Sequence, residues 1–233
     1  MKNKYLKGAH LSEYKFRELL KLFCEDLTAT QIADIINISR VTVNNYLKLI
    51  RTHIANYSDK KIVDNYNSAP ASLAVFNRPH VSLQNEVNQS KPLFGIYKRE
   101  GKIATDIIMH PDAKEIINWA KGKTDGLAEE ALHEVLRRYM AIADFTNYRL
   151  YPVVYNMGIK ESQQSDDVVF FWDLLKSRIV KFRGLSGHTL FLHVKETEFR
   201  YNHQGANLFE VLSFIIEKEP LHYLRPVKVS TGT

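Results

Sequence analysis

Seven side chains between Ser39 and Lys48 carry the chemistry of base-edge and phosphate recognition. Asn44 or Asn45 offers the paired acceptor and donor that bonds an adenine edge, and Val41 offers an apolar group for a thymine methyl. Ser39, Arg40 and Thr42, grouped at one end, suit phosphate oxygens, with Lys48 reaching the backbone further along. Such residues need one rigid element to carry them. The intervening pattern supplies it: Val43, Tyr46, Leu47 and Ile50 recur at i, i+3, i+4 and i+7, the apolar stripe of a helix. Val41, Asn44, Asn45 and Lys48 then fall on the other side.

The residues upstream would hold that helix in place. Thr28 and Gln31 form a capping-box pair at the start of a short helix whose apolar side is Ala29, Ile32, Ala33 and Ile36. Asn37 tolerates the left-handed conformation that stops a helix, and Ser39 is a favourable N-cap for the next. A short helix, a tight turn and a longer polar-faced helix form the arrangement that enters a DNA major groove; the alternative is an ordinary helical hairpin. Ser12 to Asp26, with Phe16, Leu19, Leu20 and Phe23 on one face, is predicted to be the first of three helices in a DNA-binding domain over residues 1–62.

Charge points the same way. The chain of 233 residues has a formal charge of +6, and residues 1–62 hold eleven Lys and Arg against six Asp and Glu, so +5 of the +6 lies there. Attraction to phosphate should follow that segment. The single cysteine, Cys24, excludes an internal disulfide and a cysteine zinc cluster, and its apolar neighbours predict a buried thiol. No apolar run approaches bilayer length, and no signal-peptide core or glycine-rich phosphate loop is evident. The expectation is an intracellular, cytoplasmic protein associated with the nucleoid. Its partner would be double-stranded DNA, with no membrane and no evident small-molecule substrate. Nine scattered histidines show no H-E-x-x-H pattern, so no metal site is expected from them.

Residues 63–92, rich in Asn, Ser and Pro, read as a linker with one short strand at Leu73–Phe76. Beyond it, residues 93–233 are predicted to form an α/β (α+β) domain. It begins with a hairpin, Leu93–Tyr97 and Lys102–Met109, around a turn at Lys98–Gly101. Helices follow at Asp112–Lys121 and Leu127–Arg138, then strands at Met140–Ala143 and Pro152–Tyr155. A helix from Asp166 would bury Val169, Trp172, Leu175 and Ile179, and two more span Thr189–Asn202 and Leu208–Lys218. Gly184 and Gly187 read as helix stops. Phe199, Tyr201, Phe209 and Phe214 read as core. Lys176, Arg178, Lys181 and Arg183 form either a solvated face or a basic ridge that tracks nucleic acid.

Four stretches together resemble the DDE transposases of small bacterial insertion sequences in the Merlin-like superfamily. They are Phe16–Tyr46 with LTATQIADIINISRVTVNNY, FGIYKREGK at Phe94–Lys102, FFWDLLKSRIVKFRGL at Phe170–Leu185, and LHVKETEFRYNH at Leu192–His203. The resemblance implies a helix-turn-helix that reads element ends and an RNase H-like domain in which three carboxylates hold two Mg²⁺ for DNA cleavage and strand transfer. Carried over residue by residue, the first acid falls in Leu73–Arg78, which has no carboxylate. Asp144 matches the second, and Val169 stands at the third. The implied function is sequence-specific DNA binding by a transposase-derived, catalytically inactive homodimer with no cofactor, serving as a transcriptional regulator or site-occupying factor. The alternative is an active Mg²⁺-dependent transposase with displaced acids centred on Asp144 and Asp166 or Asp167, with Asp106 on a neighbouring strand.

Overall fold

A computed structural model describes residues 3–8, 11–63, 92–108, 112–123, 136–153, 165–182, 185 and 187–222. Its elements run β1 (Leu6–Lys7), α1 (Glu13–Cys24), α2 (Ala29–Ile36), α3 (Arg40–Val63), β2 (Leu93–Arg99), β3 (Lys102–Ile108), α4 (Ala113–Ala120), β4 (Ala141–Asp144), β5 (Arg149–Pro152), α5 (Asp166–Val180), α6 (Gly187–Asn202), α7 (Leu208–Lys218) and β6 (Leu221–His222). The fold is mixed α/β. Among the described residues, no helix is long and apolar enough to cross a membrane. The expected strand at Leu73–Phe76 and most of the expected helix at Leu127–Arg138 lie outside the described residues.

The chain divides into two compact units, residues 1–54 with 203–233, and residues 55–202. Reading along the sequence placed 203–233 with the segment beyond the linker. In the structure, β6 pairs in parallel with β1, Leu6 opposite Leu221, and α7 packs on α1. Tyr5, Phe16, Leu19, Leu20, Ile32, Val43, Leu47 and Ile50 of the N-terminal segment are buried, as are Leu212, Ile215, Ile216 and Leu221 of the C-terminal one.

In the second unit a four-stranded antiparallel sheet has the order β3-β2-β4-β5. Alternation along the strands sends Phe94, Ile96, Ile103, Ala141 and Ala143 to one face, where Phe171, Trp172, Leu175 and Ile179 of α5 and Leu190 and Val194 of α6 join the same core. Leu93, Ile108 and Ile142 go to the other face, with Ile116, Trp119 and Ala120 of α4. Two glycines are required here. Glu100 and Gly101, with φ of 49° and 74°, make the two-residue turn between β2 and β3, tighter than the four residues expected from Lys98 to Gly101. At Gly95 a Cβ would lie 2.4 Å from Cε1 of Tyr139, whose ring lies against the strand.

Several expectations are corrected. Strand β5 covers Arg149–Pro152 and so begins before the expected Pro152–Tyr155, whose residues 154 and 155 lie outside the described residues. Gly187 opens α6 instead of stopping a helix. Val169 is not on the inward side of α5, which buries Val168, Phe171, Trp172, Leu175 and Ile179. Trp172, Leu175 and Ile179 are buried as expected; only the first member of the stripe differs, Val168 taking the place of Val169. Phe214 is exposed, Tyr201 and Phe209 are half-buried, and Cys24 is only partly buried. Arg178 belongs to no surface ridge: it is buried and bonded to Glu196 and Thr197.

Candidate nucleic-acid interface

The turn between α2 and α3 is fixed by bonds that a short local sequence can encode. Thr28 N–H donates to Gln31 Oε1 at 2.9 Å, and Gln31 N–H donates to Thr28 Oγ1 at 3.4 Å, closing the capping box. At the far end Asn37 is left-handed, with φ 51° and ψ 60°, and Ile38 N–H returns to the Ala33 carbonyl at 3.2 Å. Lys15 of α1 donates to the Ile36 carbonyl at 3.2 Å, a cation placed at the negative end of α2. Ser39 then caps α3, its Oγ accepting from Thr42 N–H at 3.1 Å.

From that cap α3 presents two faces. Val43, Tyr46, Leu47 and Ile50 are all buried, while Ser39, Arg40, Val41, Asn44, Asn45 and Lys48 are exposed. Val41 is 70 % exposed, a high value for a side chain that gains from leaving water. Thr42 differs from the rest. It is half-buried and its hydroxyl lies 2.8 Å from Ser39 Oγ, so Ser39 and Thr42 form the cap together. Sequence reasoning passed over Ile35, which is 59 % exposed near the end of α2. The signal was present, because Ile32, Ala33 and Ile36 define an inward stripe that leaves Ile35 outside it.

The carboxylates of the second unit are held differently. Asp144 ends β4, buried, with its Oδ1 accepting from the N–H groups of Thr146 at 2.8 Å and Asn147 at 3.2 Å, and its Oδ2 from the Asn147 side chain at 2.7 Å. Asp167 pairs with Lys98, and Asp166 is exposed beside it in the first turn of α5. Asp106 pairs with Arg138 and lies 3.4 Å from the Tyr139 hydroxyl. Burial, and then the Asp106 charge, push the Tyr139 phenol up to about 12, so it keeps its proton and donates it to that bond. Val169, at the position of the third acid in the resemblance, has no donor atom. Among the described residues, no group of three His, Cys, Asp or Glu side chains could hold a metal ion. Mg²⁺ needs oxygens at octahedral positions, and Val169 offers none at the third; Leu73–Arg78 lies outside the described residues. The geometry assigns Asp144 to the β4–β5 turn instead. Asp144→Ala is expected to lower the stability of the folded chain by about 1–3 kcal/mol, because the three hydrogen bonds that the buried carboxylate accepts from Thr146 and Asn147 are lost. Chemical denaturation measures this, and an unchanged midpoint would remove the turn role.

In comparison with known proteins, no protein-family model, no curated protein and no solved structure matches the chain.

Proposed function

We propose that the chain is a sequence-specific double-stranded DNA-binding protein in which α2 and α3 act as a helix-turn-helix and α3 enters the major groove. One observation carries the reading. A rigidly capped helix leaves Val41, Asn44, Asn45 and Lys48 in solvent while its other side is fully buried. The +5 charge of residues 1–62 supports it, since phosphate neutralisation supplies much of the affinity of such proteins. In this proposal Asn44 or Asn45 bonds an adenine, Val41 meets a thymine methyl, and Arg40 and Lys48 hold the backbone.

Residues 55–202 are, on this proposal, a segment derived from an insertion-sequence transposase. It is retained without cutting activity in a homodimeric regulator or site-occupying factor. The engagement of both Asp144 oxygens and the apolar Val169 support inactivity.

The test is selection of duplexes from a random pool by the full chain, followed by affinity measurement at fixed salt. Asn45→Ala should weaken the best site by about 1–3 kcal/mol and relax the preference at one base pair, while Lys48→Ala should weaken all duplexes alike. Failure to enrich any sequence over bulk DNA would sink the function. Enrichment that is indifferent to Asn45 would sink only the assigned face.

A further inference from the structure

We propose that α5 pairs antiparallel with α5 of a second copy of this chain, along a seam formed by Val169, Asp173, Lys176 and Val180. These residues follow one another at spacings of four, three and four, the repeat of a helix–helix seam. All four are exposed, on a stripe separate from the buried Val168, Phe171, Trp172, Leu175 and Ile179. A solvated helix face has no need of apolar groups, yet Val169 is 37 %, Phe170 59 % and Val180 57 % exposed.

Charge identifies the occupant. The exposed side of α5 is acidic in its first half, with Asp166 and Asp173 beside the Lys98-paired Asp167, and basic in its second, with Lys176 and Lys181. Such a face is complementary to itself when reversed. A two-fold axis passing between Leu174 and Leu175 sets Val169 against Val180 of the second copy and Asp173 against Lys176, each contact occurring twice. A parallel pairing would set Asp173 against Asp173 and Lys176 against Lys176, and like charges in contact oppose association. Asp173 and Lys176 make no hydrogen bond or ion pair among the described residues, so neither must be released first. The helix is about 22 Å long, so the contact is small and the association weak.

Val169 thereby acquires a role where the resemblance places a carboxylate. The inference rests on the homodimer of the proposed function and gives it a surface, but its failure is distinguishable from that of DNA binding, because self-association is measured without DNA.

Sedimentation equilibrium of the full chain, from micromolar to sub-millimolar concentration, tests it. A reversible monomer–dimer equilibrium is expected. Asp173→Lys alone or Lys176→Asp alone should weaken it about tenfold or more. The two together restore opposite charges at every contact and should return it to near the starting affinity. A chain that stays monomeric overturns the proposal. So does a dimer indifferent to the single changes, or one that the double change fails to rescue. Both positions are exposed, so far-UV circular dichroism and melting of each variant should match the parent.

Discussion

Removal of residues 203–233 is expected to unfold α1, α2 and the first half of α3, and to abolish the proposed DNA binding with them. Three short helices spanning roughly fifty residues make a marginal domain, because so small a chain buries too little of its surface. The C-terminal segment supplies the missing core. Leu212, Ile215, Ile216 and Leu221 are all buried, and each fully buried side chain of this size contributes about 1.5–3 kcal/mol. Four of them rival the whole stability of a typical domain, about 5–15 kcal/mol. Polar contacts fix the docking: the Tyr5 hydroxyl donates to Glu217 at 2.7 Å, and Lys4 lies 2.9 Å from the same carboxylate. Those two hydrogen bonds hold the Glu217 carboxyl below its ordinary range. Circular dichroism and thermal melting of the truncated chain measure the loss. A milder variant, Leu212→Ala, should destabilise this unit by about 2–5 kcal/mol with intact surface chemistry. Cooperative melting of residues 3–54 without the C-terminal segment would show that the shared core is dispensable.

That dependence was not legible in the sequence, although its parts were. The pattern of Leu208–Lys218 revealed a helix with an apolar face, but a face does not name its partner. Here the partner is α1, some two hundred residues away. Local chemistry fared better. The Thr28–Gln31 box, left-handed Asn37 and the Ser39 cap all stand as expected, because each depends on residues within three or four positions. The inward stripe of α3 was also readable, since helical period alone separates Val43 and Leu47 from Asn44 and Asn45. Period failed on α5, where Val168 and Val169 both continue plausible stripes and only packing under the sheet decides. It failed again at Arg178. Nothing in a basic run of alternate residues shows that one member is bonded eighteen residues away to Glu196. The candidate interface was therefore the most readable part of the chain, being built from short-range signals.

The buried Glu196 should be the most sensitive polar position in the second unit. Its Oε1 accepts from Arg178 Nη2 at 2.7 Å and from Arg200 Nε at 2.8 Å, and the Glu196 and Arg178 side chains are 1 % and 7 % exposed. Arg178 Nε also donates to Thr197 Oγ1 at 3.2 Å, joining α5 to α6 in the layer that covers one face of the sheet. Glu196→Leu keeps similar bulk but leaves the Arg178 guanidinium buried without its counter-charge. Breaking one side of such a pair is expected to destabilise by about 3–5 kcal/mol. If the loss comes from the stranded charge, Arg178→Met combined with Glu196→Leu should recover most of it, because removing both ions also removes their desolvation penalty. Arg200 remains in the double variant, with a side chain 12 % exposed, so some deficit should persist. Added salt should change the single-variant deficit little, since ions screen buried charges weakly. Urea denaturation of the parent, the two single variants and the double variant completes the cycle. A double variant as unstable as Glu196→Leu would mean that the carboxylate holds α6 through Arg200 and the helix itself, and that Arg178 is incidental.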